Sequence, residues 1–257
     1  MTDRRDFLKK SATVAAAVAA ANAWKATGGV ASAFASVSSP PLEEIPDSAI
    51  KELMAAALTA AKAGGAGYAD VRIGRQRQNF VFTREQQIQN VVDTDSMGCG
   101  VRALVDGTWG FAATRVLTKD GVSAAAKEAV SIAKANRAAR DRPVVLTPAA
   151  PSVGTWKSAY TKDPWDVSVE EKAALLLKAN SEALKVKGVK YIFSGLFFVK
   201  EERSYANSEG SLTQQTAVRS WPLMQITAIS ADMSDFQNRG NVAAPMGRGP
   251  ATSRSCG

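Results

Sequence analysis

The chain has 257 residues, of which 46% are hydrophobic, and its 32 Lys and Arg against 24 Asp and Glu give a formal net charge of +8. This composition excludes an intrinsically disordered protein, and the length suits one large domain or two small ones. The sequence contains no histidine. It therefore cannot form a Ser-His-Asp triad, a Cys-His dyad or a histidine-ligated zinc site.

The first 35 residues have the pattern of an export signal. Arg4 and Arg5 precede Phe-Leu-Lys, an alanine- and valine-rich stretch follows at 12–23, and small residues predict cleavage after Ala35. Twin arginines at this position indicate export by the twin-arginine route to the periplasm or the cell exterior. The apolar stretch is shorter than the ~20 residues of a transmembrane helix, so no membrane span is expected after cleavage. Residues 36–46, rich in Ser and Pro, predict an extended leader.

An α-helix and three short strands are predicted next. Apolar residues between Ile50 and Ala61 recur at the spacing of one helix face; Asp47 or Ser48 is expected to cap this helix and Gly64-Gly65 to end it. Alternating runs then predict strands at 68–74, 79–83 and 87–93. Together with the hairpin that follows, these strands predict an antiparallel meander.

Residues 98–114 predict a β-hairpin. Alternate apolar residues share one face of its first strand: Val101, Ala103 and Val105. Asp106-Gly107 supplies the positive φ angles of a tight turn, and Trp109 and Phe111 share a face of the return strand. The hairpin contains four glycines: Gly98, Gly100, Gly107 and Gly110. They either relieve strain at turns or bulges, which is the favoured interpretation, or leave room for the close approach of a substrate or partner backbone.

Two more helices are predicted after the hairpin. Thr118 is expected to cap a helix whose apolar spacing continues to Ala133. Ser168 and Glu171 predict a capping box at the start of the next helix, and Gly188 is expected to end it. Residues 148–164 lie between them and predict a long crossover without a secondary-structure element.

From Val189 the sequence again predicts strands. Four alternating residues are expected in the core: Tyr191, Phe193, Phe197 and Val199. A turn is expected at 207–210, with strands at 211–220 and 223–231. Residues 47–237 therefore predict one α/β domain. Residues 238–257 predict an irregular tail, either a flexible terminus or, as we favour, a truncated or frameshifted end.

The residues themselves predict no catalytic or metal site. Four pairs of carboxylates occur, and none predicts a site. Glu43-Glu44 precede the fold, and Glu170-Glu171 cap a helix. Glu201-Glu202 point to opposite faces of a strand, and Asp232 with Asp235 are too few to hold a cation. Cys99 has no neighbouring base and is expected to be a small buried hydrophobe, without a disulfide to Cys256. Lys and Arg are scattered without interleaved aromatic residues, so no nucleic-acid surface is expected.

The order of these motifs resembles the N-terminal domain of the TldD/PmbA family, also called modulators of DNA gyrase. Matching positions are Asp70 in the first strand, Gly100 and Arg102 in the next, the Gly107, Trp109, Gly110 and Phe111 group in the turn and return strand, and Gly210 in a later turn. The resemblance extends from about Asp47 to Arg248.

This resemblance implies an α+β fold with a mostly antiparallel sheet covered by helices. It also implies a zinc metallopeptidase that acts on peptides as a homodimer or heterodimer, with an HExxxH zinc site in a C-terminal domain. That motif is missing from this sequence, so no cofactor is expected in this chain. Arg102 and Trp109 are the candidates for contact with a substrate or partner, and a core or salt-bridge role is the favoured alternative for either. The alternative is a stand-alone periplasmic peptide-binding or partner-subunit scaffold.

Overall fold

The computed structural model describes residues 35–38, 41–139 and 141–241. The predicted export signal, apart from Ala35, lies outside these residues, as do Cys256 and the tail beyond residue 241. None of the described helices is long and apolar enough to cross a membrane.

Eight strands and three α-helices make up the described chain. The strands are β1 (Ala35–Ser38), β2 (Tyr68–Arg84), β3 (Gln87–Val105), β4 (Thr108–Thr114), β5 (Val153–Lys157), β6 (Val189–Asn207), β7 (Leu212–Ile229) and β8 (Phe236–Gly240). The helices are α1 (Asp47–Ala63), α2 (Lys119–Ala135) and α3 (Val169–Leu184), with short 3-10 turns at Asn136–Ala139 and Pro164–Asp166.

All eight strands belong to one sheet. Its order is β1-β3-β2-β6-β7-β5, with β4 also paired to β3 and β8 to β7. Only β1–β3 and β5–β7 are parallel among the described pairs. The strand β6 has 19 residues, so it extends for about 60 Å at a rise of ~3.3 Å per residue. The mostly antiparallel sheet with helices confirms the predicted α+β fold.

The three helices pack on the same face of the sheet. α1 and α2 cover the end that holds the hairpin, where their apolar residues form a core with Val71, Ile73 and Val101. α3 covers the other end, where Ala173 and Leu176 pack on Val81. Alternate residues of each strand point to the opposite side, where none of the described helices packs. We call this side the open face.

The helix ends follow local chemistry, with one correction. The Thr118 hydroxyl accepts a hydrogen bond from the Gly121 N–H, and Ser168 with Glu171 forms the predicted capping box. α1 instead begins after Pro46, whose carbonyl accepts from the Ile50 N–H, and no side chain caps it. Asp47 is therefore the first helical residue, where its carboxylate still favours the positive end of the helix dipole.

The hairpin forms as predicted, and two of its glycines make room for the protein's own packing. Asp106 and Gly107 have φ angles of 48° and 75°, which suit a two-residue hairpin turn. A Cβ on Gly110 would lie 1.9 Å from the Ala129 carbonyl oxygen of α2, and one on Gly100 would lie 3.1 Å from the Phe111 ring. The close approach at Gly110 is therefore made by a helix of the same chain.

Several predicted boundaries were wrong. The three short strands are parts of β2 and β3, which continue through the polar stretches because both strands have partners along their whole length. The 148–164 crossover contains β5, which pairs with β7. Residues 238–240, assigned to the irregular tail, form part of β8.

The alternating aromatic residues of β6 do not all lie in the core. Tyr191 is half exposed, while Phe193 and Phe197 lie half-buried on the open face. Ile192 and Phe198 are the buried residues. The reason is that helices cover only one face of the sheet, and these alternate residues, with the partly buried Val199, point to the other face.

Candidate functional site

The sequence motifs meet at one end of the open face, around the buried side chain of Asp70. The Arg102 Nη2 and Nε atoms lie 2.6 and 2.9 Å from Asp70 Oδ2, and Arg72 Nη1 lies 2.8 Å from Oδ1. The hydrogen bonds that Arg102 donates to Asp70 raise the pKa of the Arg102 guanidinium. One carboxylate thus holds two arginines, whose side chains are 41% and 53% exposed.

Aromatic rings complete this cluster. Arg102 lies over the Trp109 ring at 5.0 Å from its centroid, and Trp109 packs edge-on against Tyr68 at 5.8 Å. The hydroxyls of Tyr68 and Tyr205 are 3.2 Å apart. Burial, followed by this hydrogen bond, raises the pKa of Tyr68. Arg102 and Trp109 therefore share one half-exposed surface, and their predicted contact with substrate or partner stays a prediction.

The later turn motif lies against the first strand motif. Ser208 donates its N–H to the Ala69 carbonyl at 2.9 Å, and its hydroxyl accepts from the Ala69 N–H at 3.1 Å. Gly210 has a φ angle of 95°, which favours glycine in this turn. Motifs that are about 140 residues apart in sequence thus meet beside Asp70.

A second carboxylate on the open face also holds two arginines. Glu201 pairs with Arg203 at 3.0 Å and with Arg219 of the neighbouring strand. Burial alone would raise the pKa of Glu201, but the bond from Arg219 and the charges of both arginines lower it. Glu202 points to the helix side, near Arg75 at 4.0 Å, so the predicted divergence of the two glutamates is confirmed.

The helix side holds a cleft of about 380 Å³ beside the start of α1. At its base Arg75 donates to Asp95 through Nε at 3.0 Å and Nη2 at 2.7 Å, and to the Leu42 carbonyl at 2.9 Å. The hydrogen bonds that Arg75 donates to Asp95 raise the pKa of the Arg75 guanidinium. This buried pair fastens the leader to the sheet.

A buried lysine under α3 escaped the sequence analysis. Lys172 is 4% exposed, and its Nζ donates to Asn79 Oδ1 at 2.7 Å and lies 4.9 Å from the Phe198 ring centroid. Burial lowers its pKa to about 8. Its partner lies 93 positions earlier in sequence, and a charged residue inside a helix gives no local signal of burial.

The residues that the structure describes do not fit a zinc ion. The described residues contain no group of three or more Cys, Asp or Glu placed to hold a metal, and the sequence has no histidine. Asp232 accepts from the hydroxyls of Ser230 and Ser234 in its own turn. Cys99 is buried in the core, as predicted, and burial raises its pKa to about 11.

Comparison with known proteins agrees with the resemblance. Residues 69–133 match domain 1 of the PmbA/TldA metallopeptidases, and residues 162–249 match their central domain. Since β2 of the first match pairs with β6 of the second, both share one sheet.

Curated relatives include a metalloprotease of Methanocaldococcus jannaschii, 22% identical over 66% of this chain and 37% of its own length. Another is a metalloprotease of Methanothermobacter thermautotrophicus, 29% identical over 66% of this chain and 36% of its own length. The chain thus spans little more than a third of these relatives.

Solved structures show the same fold. TldE of Thermococcus kodakarensis has a TM-score of 0.58 at 17% identity, over 74% of this chain and 43% of that one. A Thermotoga maritima protein described as a modulator of a DNA gyrase also has a TM-score of 0.58, at 16% identity, over 74% of this chain and 42% of its own. The two matched domains place this chain in the TldD/PmbA metallopeptidase family.

Proposed function

We propose that this chain is the substrate-positioning N-terminal portion of a TldD/PmbA-type metallopeptidase and does not hydrolyse peptides alone. The observation that carries the proposal is the match to domain 1 and the central domain of the family in a sequence without histidine. Hydrolysis by a resident zinc ion needs at least three protein ligands and an open position, which the described part of the chain does not supply.

Zinc titration of the purified chain tests this proposal. We expect no stoichiometric zinc after dialysis, measured by elemental analysis, and no cleavage of an unfolded polypeptide above a protein-free control. One tightly bound zinc per chain, together with cleavage that a chelator abolishes, would contradict it.

The second candidate is a stand-alone peptide-binding or partner-subunit scaffold. It is favoured by the continuous sheet. The strands β2 and β6, which belong to the two matched domains, pair directly with each other over 15 positions. Saturable peptide binding by the chain alone, with no cleavage after a complete relative is added, would favour this candidate over the first.

Export and assembly complete the proposal. The twin-arginine pattern supports a periplasmic or extracellular location, and the family resemblance supports a homodimer or heterodimer. Fractionation of cells that express the whole chain tests the location, and sedimentation of the purified protein tests the assembly.

A further inference from the structure

The open face carries a surplus of positive charge in two matching arrangements. Asp70 holds Arg72 and Arg102, and Glu201 holds Arg203 and Arg219. Each arrangement leaves one net positive charge. The four arginine side chains are 41% to 64% exposed, so their outer edges remain accessible to a ligand.

A fifth arginine lies between these arrangements. Arg115 lines a shallow depression with Gln76, Arg203 and the paired glycines Gly74 and Gly98. No ion pair of Arg115 occurs among the described residues. Because the two glycines have no side chains, the floor of the depression is bare backbone.

An aromatic patch continues the face beyond Glu201. It consists of Phe80, Phe82, Phe193, Phe197 and Trp221, whose neighbouring ring centroids lie 5.0 to 6.4 Å apart. These side chains are only partly buried, since no described helix covers them. From Asp70 to Phe80 is ten residues along β2, or about 33 Å.

We propose that the open face binds an extended acidic polypeptide segment, with carboxylates at the arginines and an apolar side chain on the aromatic patch. Charge complementarity selects an acidic partner, and the patch selects an apolar residue at one end. The inference rests on the proposed function, for which it names the substrate class.

The arrangement of the aromatic rings favours a polypeptide over a nucleic acid. Phe82 packs edge-on against Phe80 and Phe197, so these rings do not form a row of free faces for successive bases.

Fluorescence anisotropy with the purified protein tests the proposal. The probe is a labelled peptide of about 12 residues, long enough for the ~33 Å span, with phenylalanine near one end and glutamates along the rest. The comparison probes are the same peptide with lysine for glutamate and a single-stranded DNA of equal length. We expect saturable binding of the acidic peptide alone, weakened by added salt.

Charge reversal locates the binding surface. Arg115→Glu and Arg219→Glu should each weaken binding roughly tenfold, which corresponds to about 1.4 kcal/mol. Arg239→Glu is the matched control, because Arg239 pairs with Ile226 and points to the helix side of the sheet. Circular dichroism confirms that each variant is folded.

Four outcomes would overturn the inference: equal binding of the lysine peptide, equal binding of DNA, equal loss in the Arg239→Glu control, or a dimer that Arg115→Glu dissociates. None of them depends on zinc or on hydrolysis, so the inference can fail while the proposed function stands.

Discussion

At the scale of single residues, Gly110 shows how closely the hairpin and α2 pack. An alanine there would place its Cβ 1.9 Å from a helix carbonyl oxygen, so strand and helix must separate. We expect Gly110→Ala to lower the free energy of unfolding by about 2 kcal/mol or more, measured by urea denaturation.

Gly154→Ala is the control for this prediction, because nothing lies within 4 Å of the added Cβ. Its unfolding free energy should stay within about 0.5 kcal/mol of the wild type. If both alanines had the same effect, the tight contact at Gly110 would be refuted.

Asp70 is the residue on which the arginine and aromatic cluster depends. Asp70→Asn removes a buried carboxylate that accepts from Arg72 and Arg102, and we expect a loss of about 2 kcal/mol in unfolding free energy. The exposed ends of both arginines can turn to water, which limits the loss.

The matched control is Asp106→Asn, which alters an ion pair with Arg137 in which both side chains are 63% exposed. Its effect should stay below about 0.5 kcal/mol. An equally small effect at Asp70 would show that the buried cluster contributes little to stability.

At the scale of elements, α3 is held to the sheet by polar as well as apolar contacts. The Thr83 and Ser194 hydroxyls lie 2.7 Å apart, and Asn180 bonds to both, at 3.1 and 2.8 Å. Asn79 accepts from Lys172 in the same interface. Because buried polar groups must be paired, this network fixes the position of α3 along the strands.

Lys172 makes that interface sensitive to pH. Its pKa falls from an ordinary 10.5 to about 8, so between these values the unfolded chain binds the proton that the folded chain has released. The unfolding free energy should therefore rise with pH across this window, by about 1.4 kcal/mol per pH unit at most. The charges of Asp93 and Asp163 oppose the shift, and Asp163 also pairs with Lys200.

Lys172→Met should lose this rise, as measured by urea unfolding at several pH values from 7 to about 10. The two proteins keep the same Tyr68, whose raised pKa affects both equally at high pH. Identical pH profiles would contradict the burial of a charged lysine.

The sequence predicted some features of these elements correctly and missed others. The Asp106-Gly107 turn and the Ser168–Glu171 capping box were predicted correctly, because both depend on neighbouring residues. The constraint on Gly110 and the burial of Lys172 depend on partners far away in sequence, and no local pattern reports them. Asp70 and Arg102 were identified only through the family motif. Their ion pair could not be predicted, because it depends on the register that places them opposite each other on β2 and β3.

At the scale of the whole molecule, the two faces of the sheet differ. Helices pack on one face, and arginines and aromatic rings lie on the other. The helix side builds the core, and the open face is where we propose that a polypeptide binds. Under the proposed function, the open face positions the polypeptide that a catalytic domain cleaves.

The most direct test of this account measures binding and cleavage in one sample. An acidic peptide carrying a fluorophore and a quencher is mixed with the purified chain, with zinc or with a chelator. We predict saturable binding, seen as raised anisotropy, and no loss of quenching with or without zinc. Cleavage that requires zinc and stops with the chelator would contradict the account.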